Sequence, residues 1–161
     1  MPSKISVRTD INRMYNEVKS RNNTDFEILL DTNFNKNFSF NRVYDLKFDL
    51  AKGLKLDLQA NNQARVDEPE GRIDDEWERD SIRSNIYDLG RTTNYHQTFN
   101  ANYTIPINKF PITDWVSSSV RYTANYDWQA APLSIDSLGN TIQNSNSISF
   151  KAQGNMNRLY K

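Results

Sequence analysis

No cysteine occurs among the 161 residues, so neither a disulfide framework nor a thiolate metal site is open to this chain. Net charge of one sign is also missing. Twenty basic residues balance twenty acidic ones, which leaves no global field for nucleic acid or for a polycation. No apolar run approaches the roughly 18 residues of a spanning helix, and the mean hydropathy is −0.81. These absences exclude a helical membrane protein. They leave a β-barrel open, because a barrel strand needs apolar residues only at alternate positions.

Catalytic and nucleotide-binding signatures are absent too. There is no phosphate-binding glycine loop, no dinucleotide fingerprint and no metal-ligand spacing. His96 is the single histidine, and no nucleophile motif surrounds it, so it reads as a polar lumen residue of such a barrel rather than a general base. Between Asp67 and Asp80 eight acids face two arginines, without the D-x-D-x-D-G spacing of a calcium loop. That stretch reads as a solvated loop. The N-x-S/T triplets at Asn37 and Asn102 fall in or beside expected strands and read as coincidences of an Asn-rich chain. The sequence therefore points to a non-enzyme without cofactor or metal.

What the chain does have is alternation. From Phe38 to Leu50 the even positions are Phe38, Phe40, Arg42, Tyr44, Leu46, Phe48 and Leu50, while the odd ones include Ser39, Asn41, Asp45, Lys47 and Asp49. A period of two with one apolar and one polar face describes a strand between two solvents. Ala51-Lys52-Gly53 makes a tight turn, with Gly53 expected to supply a positive φ. Leu54, Leu56, Leu58 and Ala60 then resume the apolar face against Lys55, Asp57 and Gln59. Tyr95, Phe99, Ala101, Tyr103 and Ile105 oppose His96, Thr98, Asn100 and Asn102. Val116, Val120, Tyr122, Ala124, Tyr126 and Trp128 oppose Ser117, Ser119, Arg121, Thr123, Asn125 and Asp127. Ile142, Ile148, Phe150, Ala152 and Met156 mark a last strand, and Ile5, Val7 and Ile11 mark a first.

The expected strands are thus 4–12, 38–50, 54–66, 93–105, 115–129 and 142–157, in one segment covering 1–161. Ile82, Ile86 and Leu89 repeat at i, i+4 and i+7 inside the charged stretch, with Gly90 after them, so a short helix is expected in the 74–90 loop.

Length separates a barrel from a soluble sandwich. Soluble strands average five or six residues, whereas these patterns run about 13, or roughly 43 Å of strand and about 33 Å of height at a tilt near 40°. Connections alternate short and long, as they do in outer-membrane barrels. Arg42 is the one charge on the apolar faces of the five stronger patterns. Tyr44, Tyr95, Tyr103, Tyr122, Tyr126 and Trp128 fall on those faces, several at the level of a headgroup girdle. The fold class expected is all-β: an antiparallel meander of long strands, part of a very large outer-membrane barrel and an open curved sheet in isolation. Its lipid-facing residues would be Phe40, Tyr44, Leu46, Phe48, Leu54, Leu56, Leu58, Phe99, Tyr103, Val120, Tyr122, Tyr126 and Phe150. Lys47, Asp57, Asn100, Asn102, Ser119, Arg121 and Lys151 would face the lumen. The N-terminus lacks the apolar core of a secretory signal, which the barrel reading accommodates as an internal fragment of a longer chain. A nutrient-transporter barrel and a soluble β-sandwich binding module are the competing readings.

Three stretches go beyond generic alternation: NKNFSFNRVYDLKFDLAKGLKLDLQANNQARVDEPEGRID, LGRTTNYHQTFNANYTIPINKFPITDWVSSSVRYTANYDWQAAP and LGNTIQNSNSISFKAQGNMNRLY. Together they resemble the SprA/Sov family, the outer-membrane translocon of the Bacteroidota type IX secretion system, from about Val7 onward. The resemblance implies a very large single-chain barrel that exports folded cargo and is tied to gliding motility. It places the chain in the outer membrane of a Gram-negative cell, with membrane lipid, the remaining barrel strands, cargo proteins and other secretion components as partners. It implies no nucleic acid and no cofactor, and it places no gate or partner site on these residues.

Overall fold

Period-two alternation organises most of the chain in the computed structural model, which describes residues 2–21, 31–110 and 112–156. Six strands run in sequence order: β1 (Pro2–Lys19), β2 (Thr32–Ala51), β3 (Leu54–Arg65), β4 (Arg91–Ile105), β5 (Val116–Gln129) and β6 (Thr141–Gly154). They form one open antiparallel meander in which each strand pairs with its neighbours in sequence. One α-helix, α1 (Glu76–Tyr87), lies in the expected loop. All six expected strands are present, and β1, β2 and, by two residues, β4 are longer than expected. β1 runs to Lys19 and β2 begins at Thr32. The added lengths of alternation carry charge on the otherwise apolar side (Arg13, Glu17, Lys36), which hides them from a hydrophobic pattern. β6 ends at Gly154, so Met156 lies beyond it, and residue 157 falls outside the described residues.

The turn between β2 and β3 corrects one expectation. Gly53 does not adopt a positive φ. Glycine is required there by close approach. A Cβ would sit 2.7 Å from the Thr104 carbonyl oxygen, and the Gly53 carbonyl itself accepts the Thr104 N–H at 2.7 Å.

Contacts divide the chain into two compact units. The first comprises Met1–Arg8, Arg42–Asn62 and Asn94–Lys161; the second comprises Thr9–Asn41 and Gln63–Thr93.

The second unit has its own apolar core. Phe38, Phe40, Ala64, Val66 and Ile82 are buried together, with Ile73 and Ile86 packed against them. At the start of α1 the Glu78 carboxylate accepts the backbone N–H groups of Asp74 (2.9 Å) and Asp75 (3.0 Å), which lets a buried acid satisfy the helix's unpaired donors. At its end Leu89 and Gly90 both have positive φ, and the Gly90 N–H bonds the Asn85 carbonyl at 2.8 Å. Leu89 therefore stands past the helix, 46% exposed, rather than on the buried stripe with Ile82 and Ile86. Gly90 meets two demands, since a Cβ there would lie 3.0 Å from the Arg65 carbonyl oxygen.

Ion pairs fix the segment before the helix. Arg13 bonds Glu68 at 2.5 Å, Arg72 forks onto Glu17, and Lys36 donates to the Pro69 carbonyl at 2.8 Å. Arg91 grips Asp67 through two nitrogens, at 2.8 and 3.1 Å. Those hydrogen bonds hold the Asp67 carboxyl below its ordinary value of 3.8 against the opposing effect of partial burial.

Two outcomes follow from this unit. Ile82→Ala should remove about 2–5 kcal/mol of packing and speed amide exchange in α1, while the β5–β6 ladder of the other unit keeps its protection. Equal loss in both places would mean that the units unfold as one body. For Asp67, whose pKa is lowered by folding, the stabilisation is present above the ordinary carboxylate range and fades as pH falls through the depressed value. Pepsin nicking of residues 67–75, scaled to an unfolded control, should therefore rise in strong acid, and Asp67→Asn should flatten that rise. An unchanged acid response in Asp67→Asn would assign the effect to another group.

Candidate functional site

The candidate site is a surface, the two faces of the β4–β5–β6 sheet within the first unit. Register defines it. Asn100 pairs with Thr123, Asn102 with Arg121 and Tyr103 with Val120. Ser119 pairs with Lys151, Arg121 with Ser149, Val120 with Phe150 and Tyr122 with Ile148. Directly opposed residues point to the same side. Phe99, Tyr103, Val120, Tyr122, Tyr126 and Phe150 thus share one face, and Asn100, Asn102, Ser119, Arg121 and Lys151 share the other.

The first face is aromatic, half-buried along β5 and open to solvent at its β6 edge. Tyr95 meets Tyr126 edge-on at 6.1 Å between centroids, and Phe99 meets Tyr122 at 6.4 Å. Ile148 is 75% exposed and Phe150 62%. Tyr44, Leu46, Phe48, Leu54, Leu56 and Leu58 in the β2–β3 hairpin are half-buried. Phe40 differs from the rest of its set, being buried in the second unit's core with Ile82 of α1.

The opposite face is a ladder of side-chain hydrogen bonds. Thr98 donates to Asn125 (3.0 Å), Thr123 to Asn100 (2.8 Å), and Arg121 to Asn102 (2.6 Å). Asn125 donates onward to Ser145 at 3.2 Å. In the hairpin Lys47 pairs with Asp57 at 3.6 Å, and Asp57 borders the same groove as Asn100.

His96 belongs to this ladder. Its Nδ1 lies 2.5 Å from Asp127 Oδ1, and its Nε2 lies 3.1 Å from the Thr98 hydroxyl. The set carries the residue types of an acid–base–hydroxyl triad. Its geometry does not suit nucleophilic attack, because the Thr98 hydroxyl donates to Asn125 and so presents a lone pair, not its proton, to the imidazole. His96 and Asp127 are also half exposed, so the pair works as a clip between β4 and β5. Among the described residues no cluster of three or more His, Asp or Glu side chains could hold a metal ion, the acidic 67–80 stretch included.

Sequence reasoning passes over the polar members of the apolar face. Gln97, Tyr126 and Asn144 form one row of the register, and Phe99, Ala124 and Asn146 form the next. Reading every alternate position, instead of the apolar ones alone, finds them. Ser118 is a second case, 3% exposed on the same face between Ile105 and Ala152.

A double-mutant cycle on Asn100→Ala and Thr123→Ala should return a coupling of about 0.5–1 kcal/mol. Additive effects would show that the polar ladder does not help hold β4 against β5.

No protein-family model matches the chain, and no curated protein matches it in sequence.

Proposed function

We propose that this chain is a wall segment of an outer-membrane β-barrel, sealing against lipid on one face and lining a water-filled lumen with the other. The observation that carries the reading is a single open meander of 12- to 20-residue strands whose aromatic face, among the described residues, has no second sheet over it. Fourteen residues, as in β5 and β6, rise about 46 Å along the strand and roughly 35 Å along the normal at a tilt near 40°. That reach suits a hydrocarbon core of about 30 Å. A soluble sandwich would bury Ile148 and Phe150 between layers, and here both are open to solvent. No helix among the described residues is long and apolar enough to span a membrane, so any crossing would fall to the strands.

Within that class the resemblance to the SprA/Sov family favours the protein-secretion translocon of the Bacteroidota type IX system, with its link to gliding motility. The chemistry of the polar face supports an export role. Asn100, Asn102, Ser117, Ser119, Ser147 and Ser149 are hydrophilic and uncharged, so they offer a passing folded protein neither an apolar patch nor a strong field. The partners are membrane lipid, the other strands of the barrel, cargo and further secretion components.

The test uses the intact parent barrel in its own cell. Lys at Leu56 or Leu58 puts a charge on the lipid face, costs about 2–4 kcal/mol near the midplane, and should deplete the barrel from the membrane. Lys at Asn100 or Ser119 should be tolerated. Bulky apolar residues at those two positions should slow cargo export at unchanged barrel level. Equal tolerance of Lys on both faces would argue against a membrane wall. Normal export in a deletion strain would remove the translocon role and keep the barrel.

A further inference from the structure

The aromatic face of β4–β6 is interrupted by amides, and they are not scattered. Gln97 and Asn144 flank Tyr126 in one row, and Asn146 stands in the row beneath, beside Ala124 and Phe99. These side chains border a single shallow groove whose walls are the rings of Phe99, Tyr122 and Tyr126. Tyr95 donates its hydroxyl to Gln97 at 2.9 Å, while the Asn144 and Asn146 amides make no hydrogen bond among the described residues.

Hydrocarbon cannot satisfy such groups. One row further toward the 130–140 loop lie Tyr95, Trp128 and Ile142, an aromatic row of the kind that sits at headgroup level. On its other side the groove is bounded by the row of Ala101, Tyr122 and Ile148, and beyond that row come Tyr103, Val120 and Phe150, then Ile105, Ser118 and Ala152. They present no amide. The groove therefore lies at the border between an apolar band and an aromatic girdle, and no residue lining it on this face is charged.

An uncharged groove with ring faces for walls and amides at its rim matches the chemistry of a sugar. C–H faces of a pyranose stack on aromatic rings, and hydroxyls pair with amide donors and acceptors. Phosphate or carboxylate would find no cation there. We propose that this groove binds the neutral sugar headgroup of a membrane glycolipid, an inference that rests on the aromatic face being the lipid face.

The test is to reconstitute the full-length barrel in phosphatidylcholine nanodiscs with and without a monohexosyl diacylglycerol and count retained lipid by native mass spectrometry. Wild type should retain the glycolipid in excess of its bulk ratio. Asn144→Leu with Asn146→Leu should lower that excess about tenfold, the worth of one or two hydrogen bonds, at unchanged reconstitution yield. Asn144→Gln should keep most of it. Retention of the glycolipid only at its bulk ratio in wild type would overturn the sugar site while leaving the wall intact. Preferential retention of phosphatidylglycerol would overturn it in favour of an anionic headgroup. Failure of the barrel to enter nanodiscs of either composition would overturn the wall reading and this inference with it.

Discussion

Everything in this chain depends on antiparallel pairing whose side-chain period is two. Once the register of one pair is set, each residue's face is set with it, and a slip of a single residue would exchange the two faces along the whole strand. The β4–β5 and β5–β6 ladders keep that register without a break over 12 and 14 residue pairs. Two faces of opposite chemistry can then be maintained across three strands with no second sheet over them among the described residues.

An apolar sheet face must be covered by something, and the two units meet that requirement differently. In the second unit the cover is intramolecular. Val66, Phe38 and Phe40 are sealed by Ile82, and the preceding segment is pinned by Arg13–Glu68, Arg72–Glu17 and Arg91–Asp67. Arg72–Glu17 and Arg91–Asp67 lie largely in reach of water, which screens them and keeps their contribution small, whereas the Glu68 side chain paired with Arg13 is buried. Burial of the core side chains stabilises the unit more, at about 1.5–3 kcal/mol for a fully buried Phe, Val or Ile. In the first unit the aromatic face of β4–β6 carries no such layer among the described residues, which is why lipid is the cover proposed for it.

The strands are legible in the sequence because their alternation is long and Asn, Ser and Thr fill the polar positions. Their ends are less so. Lys36 stands over the Tyr15 and Phe34 rings, and Arg13 over Phe38, so the outer parts of β1 and β2 carry cations where the pattern asks for apolar residues. The helix is legible from Ile82 and Ile86, whereas Leu89 mimics a third member of the stripe and its left-handed backbone places it beyond the last turn. Gly53 is legible as a turn residue but not for its cause, since its requirement comes from a neighbouring strand that no local pattern contains. The amides of the groove stand at alternate positions of the sequence. They become a cluster only when β4, β5 and β6 are laid side by side in register.

The polar face has a part in holding that register. A polar face gains little from burial, so burial alone does not make it resist slippage. Here successive rows are tied by specific pairs: His96 to Asp127, Thr98 to Asn125, Asn100 to Thr123, Asn102 to Arg121. Each pair joins directly opposed residues. A shift by two residues would preserve both faces but would set His96 against Asn125 and Asn102 against Ser119, or His96 against Gln129 and Asn102 against Thr123. The His96–Asp127 and Asn102–Arg121 pairs would be lost in either direction. The hydrophobic alternation rules out odd slips, and the side-chain pairs disfavour even ones. The polar face therefore supplies the specificity that the apolar face lacks.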